Sequence, residues 1–154
     1  DRIADIGAGS GYFSFRMSDL VPDGKVFAVD ISPQMLGIIR ARIKEKKVAN
    51  VVPIQSTITR TMLEPSSIDK ALIVDAYHEF SHPREMANSI FKALKKDGLL
   101  ILIEYRKEDK KVPIKPLHKM TEKQAIKEIE VVGFKWEKTL SVLPQQHFMI
   151  FKKK

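Results

Sequence analysis

The stretch that decides the fold is Asp5-Ile6-Gly7-Ala8-Gly9-Ser10-Gly11-Tyr12, near the start of a chain of 154 residues. It follows a short apolar run of the kind that forms a buried parallel strand. It precedes residues 12–20, whose apolar side chains recur at helical spacing. A glycine-rich turn between a strand and a helix lets a ligand approach the helix N-terminus closely. The sequence therefore predicts a ligand site at this turn.

Strand and helix patterns alternate along the rest of the chain. The predicted strands are residues 2–6, 25–30, 51–55, 68–75 and 99–104, followed by a late hairpin of 134–143 and 147–152 that includes His147 as a turn residue. The predicted helices cover residues 12–20, 32–47, 83 to Asp97-Gly98, and 121–133. This alternation is typical of βαβ units. We therefore expect a single α/β domain with a Rossmann-like, doubly wound sheet and a ligand beyond the carboxyl ends of its strands.

The residue pattern also indicates which ligand the turn would hold. Asp30 ends the second predicted strand, 19 residues after Gly11, where a carboxylate can accept hydrogen bonds from both ribose hydroxyls of an adenosine. The dinucleotide fingerprint G-x-G-x-x-G would place a glycine at Tyr12. Asp5 beside the loop disfavours a pyrophosphate and suits a ligand that carries an ammonium and a sulfonium. These features favour S-adenosylmethionine (SAM) over a nicotinamide dinucleotide.

Three segments resemble the motifs of class I SAM-dependent methyltransferases. Residues 5–11 resemble the first motif, residues 26–35 the second, and residues 94–102 the turn from a helix into the fifth strand. The likeness extends over nearly the whole chain. It implies a seven-stranded sheet in the order 3-2-1-4-5-7-6, with strand 7 antiparallel, and S-adenosylhomocysteine as the product.

The resemblance implies a set of cofactor-binding residues. In it, Asp30 holds the ribose, Ile31 packs on the adenine, and Asp75 faces the transferred methyl group. Thr57 stands where many relatives have an acidic residue, so recognition of the adenine amino group there would be weaker or would use backbone groups. The full set is Asp5, Gly7, Ala8, Gly9, Gly11, Tyr12, Asp30, Ile31, Thr57 and Asp75.

Catalytic candidates follow the fourth predicted strand. His78 is a candidate general base because imidazole ordinarily exchanges protons near neutral pH, and Tyr77 is a weaker candidate beside it. Packing of the loop remains an alternative for both. Further residues expected at the same rim, for which a structural role is favoured, are Glu104, Tyr105 and His118. No metal is expected, because Pro83 makes a continuous helix through the pair His78 and His82 unfavourable.

The amino-acid composition excludes some classes of chemistry and makes some kinds of partner less favoured. The chain is 44% apolar and 30% charged, and it has no cysteine, so disulfides and thiolate chemistry are excluded. The net charge of +8 comes from scattered lysines, which makes nucleic-acid binding possible but not favoured. No apolar run is long enough for a membrane span. We expect a cytoplasmic domain, residues 1–154, that lacks an N-terminal helical segment.

The possible classes of methyl acceptor are narrowed by residues that the chain lacks. A cytosine-C5 enzyme needs a cysteine nucleophile, and the amino-methylating enzymes of nucleic acids usually have Asn or Asp followed by Pro-Pro where this chain has Asp75-Ala76-Tyr77. These absences argue against two classes of nucleic-acid methyltransferase but not against ribose or other RNA targets. The resemblance to methyltransferases that act on quinones and other metabolites implies a small-molecule acceptor. The alternatives are an RNA methyltransferase, a non-catalytic SAM-binding module and a nicotinamide-dependent oxidoreductase. The oligomeric state is not predicted.

Overall fold

One mixed β-sheet with helices on both faces organises the chain in a computed structural model that describes residues 1–154. The strands are β1 Arg2–Ile6, β2 Lys25–Asp30, β3 Val51–Gln55, β4 Ile68–Val74, β5 Leu94–Arg106, β6 Lys119–Met120, β7 Phe134–Leu140 and β8 Gln146–Lys153. The α-helices are α1 Tyr12–Leu20, α2 Pro33–Lys46, α3 Pro83–Ala93 and α4 Glu122–Glu130. Two single-turn 3₁₀ helices cover Tyr77–Glu79 and Pro116–His118.

The strand order in the sheet is β3-β2-β1-β4-β5-β8-β7, which confirms the predicted arrangement. The only addition is β6, a two-residue strand that pairs with β5 and moves the later numbers up by one. Neighbours from β3 to β5 run parallel, whereas β8 runs antiparallel to both β5 and β7. The predicted antiparallel strand is thus β8.

Alternating side chains divide the interior into two apolar clusters, one on each face of the sheet. In β2, Val26 and Ala28 belong to the smaller cluster with Leu36 of α2, while Phe27 and Val29 belong to the larger cluster. Strands that bury both faces are expected in a parallel sheet covered by helices. The carboxyl ends of the strands are therefore the edge left for a ligand.

Two helices begin where the sequence predicts. The Ser32 hydroxyl accepts a hydrogen bond from the backbone N–H of Met35 at 3.3 Å, with Pro33 in the first turn of α2. The Thr121 hydroxyl likewise accepts from the Gln124 N–H at 3.1 Å at the start of α4. Both caps satisfy a backbone donor that the helix itself leaves free.

Two predicted helix ends and the predicted position of His147 in a turn are wrong. Helix α3 ends at Ala93 rather than at Asp97-Gly98, because the backbone of Leu94 is extended and pairs with Ile68 in the sheet. Helix α4 ends at Glu130 rather than at Gly133. His147 lies within β8 and not in a turn; it is buried, and its Nε2 is 2.8 Å from Oε2 of Glu108. No helix has the length and apolar character that crossing a membrane requires.

Candidate functional site

A cavity of about 390 Å³ opens at the carboxyl ends of β1, β2, β3 and β4. This volume lies within the range of about 300–1,000 Å³ that small-molecule sites occupy. Of the cofactor-binding residues that the sequence predicts, the cavity wall contains Gly7, Gly9, Asp30, Ile31, Thr57 and Asp75. The glycine turn therefore faces a space large enough for a ligand.

The glycine turn is tied to the neighbouring strand by its backbone. The N–H groups of Gly7 and Ala8 both donate to the carbonyl of Val29, at 2.8 and 3.0 Å. Gly7 has a φ of +77°, and a Cβ atom built on it would lie 2.8 Å from Cβ of Ala76. Only glycine satisfies both the left-handed backbone and this close approach.

Asp30 is held in place at the end of β2 by two backbone donors. Its Oδ2 accepts from the N–H of Gly9 at 2.8 Å, and its Oδ1 accepts from the N–H of Ser32 at 2.9 Å. A carboxylate oxygen can accept two hydrogen bonds. Both oxygens therefore keep acceptor capacity at the wall of the cavity.

Asp5 lies beneath the loop rather than in the cavity wall. Alternation along β1 turns its side chain towards α1, where it is 2% exposed and accepts a 2.6 Å hydrogen bond from the Ser14 hydroxyl. Burial raises the pKa of Asp5 to about 6, and the hydrogen bond from Ser14 opposes that rise. Any influence of Asp5 on a ligand in the cavity passes through the loop.

Three further predicted residues lie outside the cavity wall. Ala8 is buried in the smaller apolar cluster, and Gly11 caps α1 with a left-handed backbone. Tyr12 is 55% exposed, and the guanidinium of Arg16 lies 3.6 Å from the centre of its ring. These positions shape the start of α1.

The side of the cavity formed by β2 and β3 is largely apolar and open. Ile31, Met35 and Ile58 line it, and each of these side chains is partly exposed to solvent. The Thr57 hydroxyl is occupied locally, since it accepts from the backbone N–H of Arg60 at 3.0 Å. A flat apolar ring would find a matching surface here.

Asp75 lies on the other side of β1, just after β4, in a left-handed conformation with a φ of +49°. Its Oδ2 accepts a 2.6 Å hydrogen bond from the Gln146 amide, whereas its Oδ1 is buried and has no hydrogen-bond partner. Burial raises the pKa of Asp75, and Gln146 opposes that rise. An unpaired buried acceptor and a strained backbone are costly and tend to occur where a ligand binds.

Tyr77 belongs to the larger apolar cluster. It is 2% exposed, and its ring packs edge-on against Phe80 with 5.6 Å between the ring centres. Burial is the main reason that the pKa of its phenol is raised, and Glu128 of α4 adds to the effect. These surroundings favour a packing role for Tyr77.

His78 takes part in a chain of polar contacts beside the cavity. Its Nδ1 lies 2.7 Å from Oε2 of Glu104, whose side chain is completely buried, and its Nε2 lies 3.2 Å from Nδ1 of His118. Oε1 of Glu79, a residue of the cavity wall, is 3.8 Å from the same Nε2. Burial raises the pKa of Glu104, and the bond from His78 opposes that rise.

Sequence reasoning placed His118 and Glu104 at this rim without predicting that they contact His78. The two short 3₁₀ helices that carry the histidines are 40 residues apart, and no local pattern joins them. Glu79 belongs to the segment of residues 77–80 that the sequence predicts to contact substrate, but it has no predicted role of its own, and Gln146 was missed altogether. Gln146 reaches Asp75 across 71 positions of sequence, so only the topology of the sheet could have revealed the contact.

Comparison with known proteins shows the family to which the chain belongs. The family model described as "Methyltransferase domain" matches residues 1–147. The chain belongs to this family. Among curated relatives, the ubiquinone/menaquinone biosynthesis C-methyltransferase UbiE of Wigglesworthia glossinidia brevipalpis is 27% identical over 69% of this chain and 43% of its own length. The demethylmenaquinone methyltransferase of Lactococcus lactis is 31% identical over 66% and 41%. The chain thus spans less than half the length of these relatives.

Solved structures share the fold. A SAM-dependent methyltransferase from Aquifex aeolicus superimposes with a TM-score of 0.92 at 20% identity, over 99% of this chain and 82% of the other. The [4+2]-cyclase SpnF superimposes with a TM-score of 0.82 at 14% identity, over 99% and 74%. Proteins named for different reactions therefore share this architecture, and the reaction has to be argued from the site.

Proposed function

We propose that this domain binds SAM in the cavity beyond the glycine turn and transfers the methyl group to a small-molecule acceptor. The observation that carries the proposal is the carboxylate of Asp30, which Gly9 and Ser32 hold at the cavity wall. Each of its oxygens keeps one lone pair free. Two adjacent ribose hydroxyls are the matching donors.

The two sides of the cavity suit the two ends of SAM. Ile31, Met35 and Ile58 offer an apolar surface to the adenine on the side of β2 and β3. On the side of β4, the carboxylate of Asp75 provides negative charge and an unpaired acceptor oxygen. An ammonium or a sulfonium placed there would compensate a buried polar atom that otherwise costs about 1–3 kcal/mol.

The curated relatives support a small-molecule acceptor. Both carry names that refer to methylation in quinone biosynthesis. In this chain Phe80 and Met86 line the cavity beside Glu79 and Ser81, so the wall beyond Asp75 offers apolar surface together with a few polar groups. A compact, partly apolar acceptor matches that wall.

His78 is the proposed proton acceptor for an acceptor group that must lose a proton as it attacks. An ionised carboxylate only accepts hydrogen bonds, so the contact with Glu104 leaves the hydrogen on Nδ1 and a lone pair on Nε2. Nε2 points away from Glu104, towards His118 and the cavity residue Glu79. Tyr77 is buried elsewhere and supports this step only by packing.

Alignment and exclusion of water would supply most of the catalysis. SAM, when bound, provides a methyl group already activated on a sulfonium. The chain contributes a rigid loop, fixed by the contacts of Gly7 and Ala8 with Val29, and a wall that positions the acceptor. Holding two reactants in line is worth several kcal/mol of the barrier.

Calorimetric titration tests the proposal. SAM, S-adenosylhomocysteine and NAD are titrated into the wild-type chain, Asp30→Ala and the control Asp23→Ala, whose side chain is exposed in the turn before β2. We expect SAM and S-adenosylhomocysteine to bind wild type and the control, and to bind Asp30→Ala at least tenfold more weakly.

Three results would contradict the proposal. Binding of NAD alone would indicate an oxidoreductase. Unchanged SAM affinity in a folded Asp30→Ala variant would remove the observation on which the site rests. SAM binding without methylation of any acceptor in a panel of quinone precursors, phenols and amines would favour a non-catalytic module over a small-molecule methyltransferase.

A further inference from the structure

The side chains of His78, Glu79 and His118 point towards one another at the carboxyl-end edge of the sheet. The donor nitrogens of His78 and His118 and a carboxylate oxygen of Glu79 all lie within 4.8 Å of one another. From this geometry we propose that His78, Glu79 and His118 form a binding site for a divalent transition-metal ion of the zinc type. The site goes beyond the methyl-transfer proposal and does not depend on it.

The distances between the donors fit a small tetrahedral ion. Zinc–imidazole bonds of about 2.0–2.1 Å place two tetrahedral nitrogens about 3.3 Å apart. Nε2 of His78 and Nδ1 of His118 are 3.2 Å apart, and Oε1 of Glu79 is 3.8 Å from the former. The donor atoms of Glu79 and His118 lie within 4.8 Å of each other. The Glu79 side chain is 67% exposed, so a rotation about its side-chain bonds can bring its carboxylate to bonding distance of a shared ion.

Glu104 prepares His78 for this role. It is completely buried, and its carboxylate contacts both Nδ1 of His78 at 2.7 Å and the backbone N–H of His78 at 3.3 Å. A carboxylate on the far nitrogen of a metal-binding imidazole fixes the tautomer and raises the basicity of the ligating nitrogen. The lone pair of Nε2 is therefore directed at the other two donors.

The local charge also favours a cation. No lysine or arginine nitrogen lies within 4 Å of a carboxylate oxygen of Glu79, Glu104 or the neighbouring Asp75, in a chain whose net charge is +8. The three ion pairs of the structure that involve lysine lie elsewhere, with Asp1, Asp69 and Asp97, and the other four are histidine contacts. Partly buried carboxylates without a cationic partner are costly unless a cation joins them.

The donor set selects the kind of metal. Two imidazoles with one carboxylate suit zinc, cobalt, nickel or iron, whereas magnesium and calcium prefer oxygen ligands alone. Three protein ligands leave at least one position of a four-coordinate ion open. Because Glu79 belongs to the cavity wall, an oxygen of the methyl acceptor is the matching fourth ligand.

Metal binding and proton acceptance by His78 exclude each other, since both use the lone pair of Nε2. With the ion in place, a hydroxyl bound at its open position would lose its proton more readily. Without the ion, and with the hydrogen of His78 on Nδ1, the short contact between the imidazoles is a hydrogen bond from Nδ1 of His118 to Nε2 of His78, so His118 has to turn away before Nε2 accepts a proton from the methyl acceptor. The two states therefore differ in which group activates the acceptor.

Metal titration of the whole chain tests the site without any activity assay. Zn²⁺ is followed by calorimetry and Co²⁺ by visible absorption, for wild type, His118→Ala, Glu79→Gln and the control His82→Ala. His82 is exposed, and the only hydrogen-bond partner of its ring is Ser81. We expect one ion per chain in wild type and the control, with the intense visible bands of tetrahedral Co²⁺, and at least tenfold weaker binding in both ligand variants.

A second variant separates positioning from ligation. Glu104→Gln keeps the three ligands but replaces the carboxylate behind His78, so we expect a tenfold to hundredfold loss of Zn²⁺ affinity with the tetrahedral Co²⁺ spectrum retained. The proposal is overturned if wild type binds no stoichiometric Zn²⁺, or if folded His118→Ala binds it as tightly as wild type. An equal loss in His82→Ala or in a His147→Gln variant would place the ion elsewhere and overturn it too.

Discussion

The backbone N–H of Gly9 donates a 2.8 Å hydrogen bond to Oδ2 of Asp30, and this contact joins the first loop of the chain to the end of the second strand. The other oxygen of the same carboxylate accepts from Ser32 at the start of α2. The side chain of Asp30 thus links the glycine turn to the end of β2 and the start of α2. Changes at Asp30 should affect both the loop and any ligand in the cavity.

Asp30→Asn tests this double role. The amide has only one acceptor oxygen, so either Gly9 or Ser32 loses its partner. We expect the free energy of unfolding to fall by about 1–2 kcal/mol and the Kd for SAM to rise at least tenfold, or about 1.4 kcal/mol. Urea unfolding and calorimetry measure the two effects. Asp23→Asn is the control, and wild-type affinity in Asp30→Asn would contradict the prediction.

Substitution of two glycines by alanine should have opposite effects. Gly7→Ala places a Cβ 2.8 Å from Cβ of Ala76 at a φ of +77°, and we expect a loss of about 1–3 kcal/mol. Gly37 lies inside α2, and a Cβ added there meets nothing within 4 Å. Gly37→Ala should therefore stabilise the fold by about 0.5–1 kcal/mol.

Thermal unfolding of the two glycine variants measures both changes in stability. The double variant Gly7→Ala/Ala76→Gly tests how much of the loss comes from the close contact between the two Cβ atoms. Removing Cβ of Ala76 relieves the contact but not the left-handed backbone of residue 7. Recovery of only part of the lost stability is therefore the expected result. A Gly7→Ala variant as stable as wild type would show that the turn does not need its present conformation.

The buried carboxyl of Asp5 makes stability depend on pH. Its pKa is raised from 3.8 to about 6 in the folded chain, so the folded state holds a proton that the unfolded state has already released. The stabilising contribution of the protonated Asp5 carboxyl to the free energy of unfolding is therefore fully present below about pH 4 and is lost as the pH rises through about 6. A shift of about two units corresponds to about 3 kcal/mol.

Asp5→Asn removes this dependence while Ser14 can still donate to the amide oxygen. Urea unfolding of wild type and variant is compared between pH 4 and 7. We expect the variant to gain about 3 kcal/mol relative to wild type across this interval, whereas Asp23→Asn should follow wild type throughout. A difference between variant and wild type that does not change with pH would refute the assignment.

Asp75→Asn should separate stability from ligand binding. It removes a carboxylate whose Oδ1 is buried without a partner, in a left-handed backbone that asparagine adopts readily. We expect a higher Tm in the absence of ligand, together with a smaller rise in Tm on addition of SAM. In the matched control Asp69→Asn, the loss of the negative charge that pairs with Lys95 at 2.7 Å should lower the Tm. A lower Tm in ligand-free Asp75→Asn would count against an uncompensated charge.

Local patterns in the sequence were enough to predict the strands and the cofactor loop in the first half of the sheet. The glycine turn, Asp30 and the cap at Ser32 each act within a few residues of the chain, so pattern and structure agree there. The end of α3 was misjudged for the opposite reason. Leu94 fits the helical spacing from Ile90, yet its backbone pairs with Ile68, a partner that no local pattern contains.

The polar contacts at the rim were the least predictable part of the site. Asp5 looked available to a ligand from its place beside the loop, but strand alternation buries it against Ser14. His78, Glu104 and His118 meet only because two loops and the end of β5 reach the same edge. Each residue was visible as a candidate, whereas the contacts among them depend on the three-dimensional arrangement.

The reversal of β8 has a consequence for how the domain matures during synthesis. Since β8 runs opposite to its neighbours, its first residue, Gln146, arrives at the edge where the parallel strands finish, and there it contacts Asp75. A nascent polypeptide that has not yet paired β8 with β5 therefore exposes an aspartate that lacks its only hydrogen-bond donor. We therefore expect full affinity for a ligand at that edge to be acquired only after β8 has left the ribosome and paired with β5.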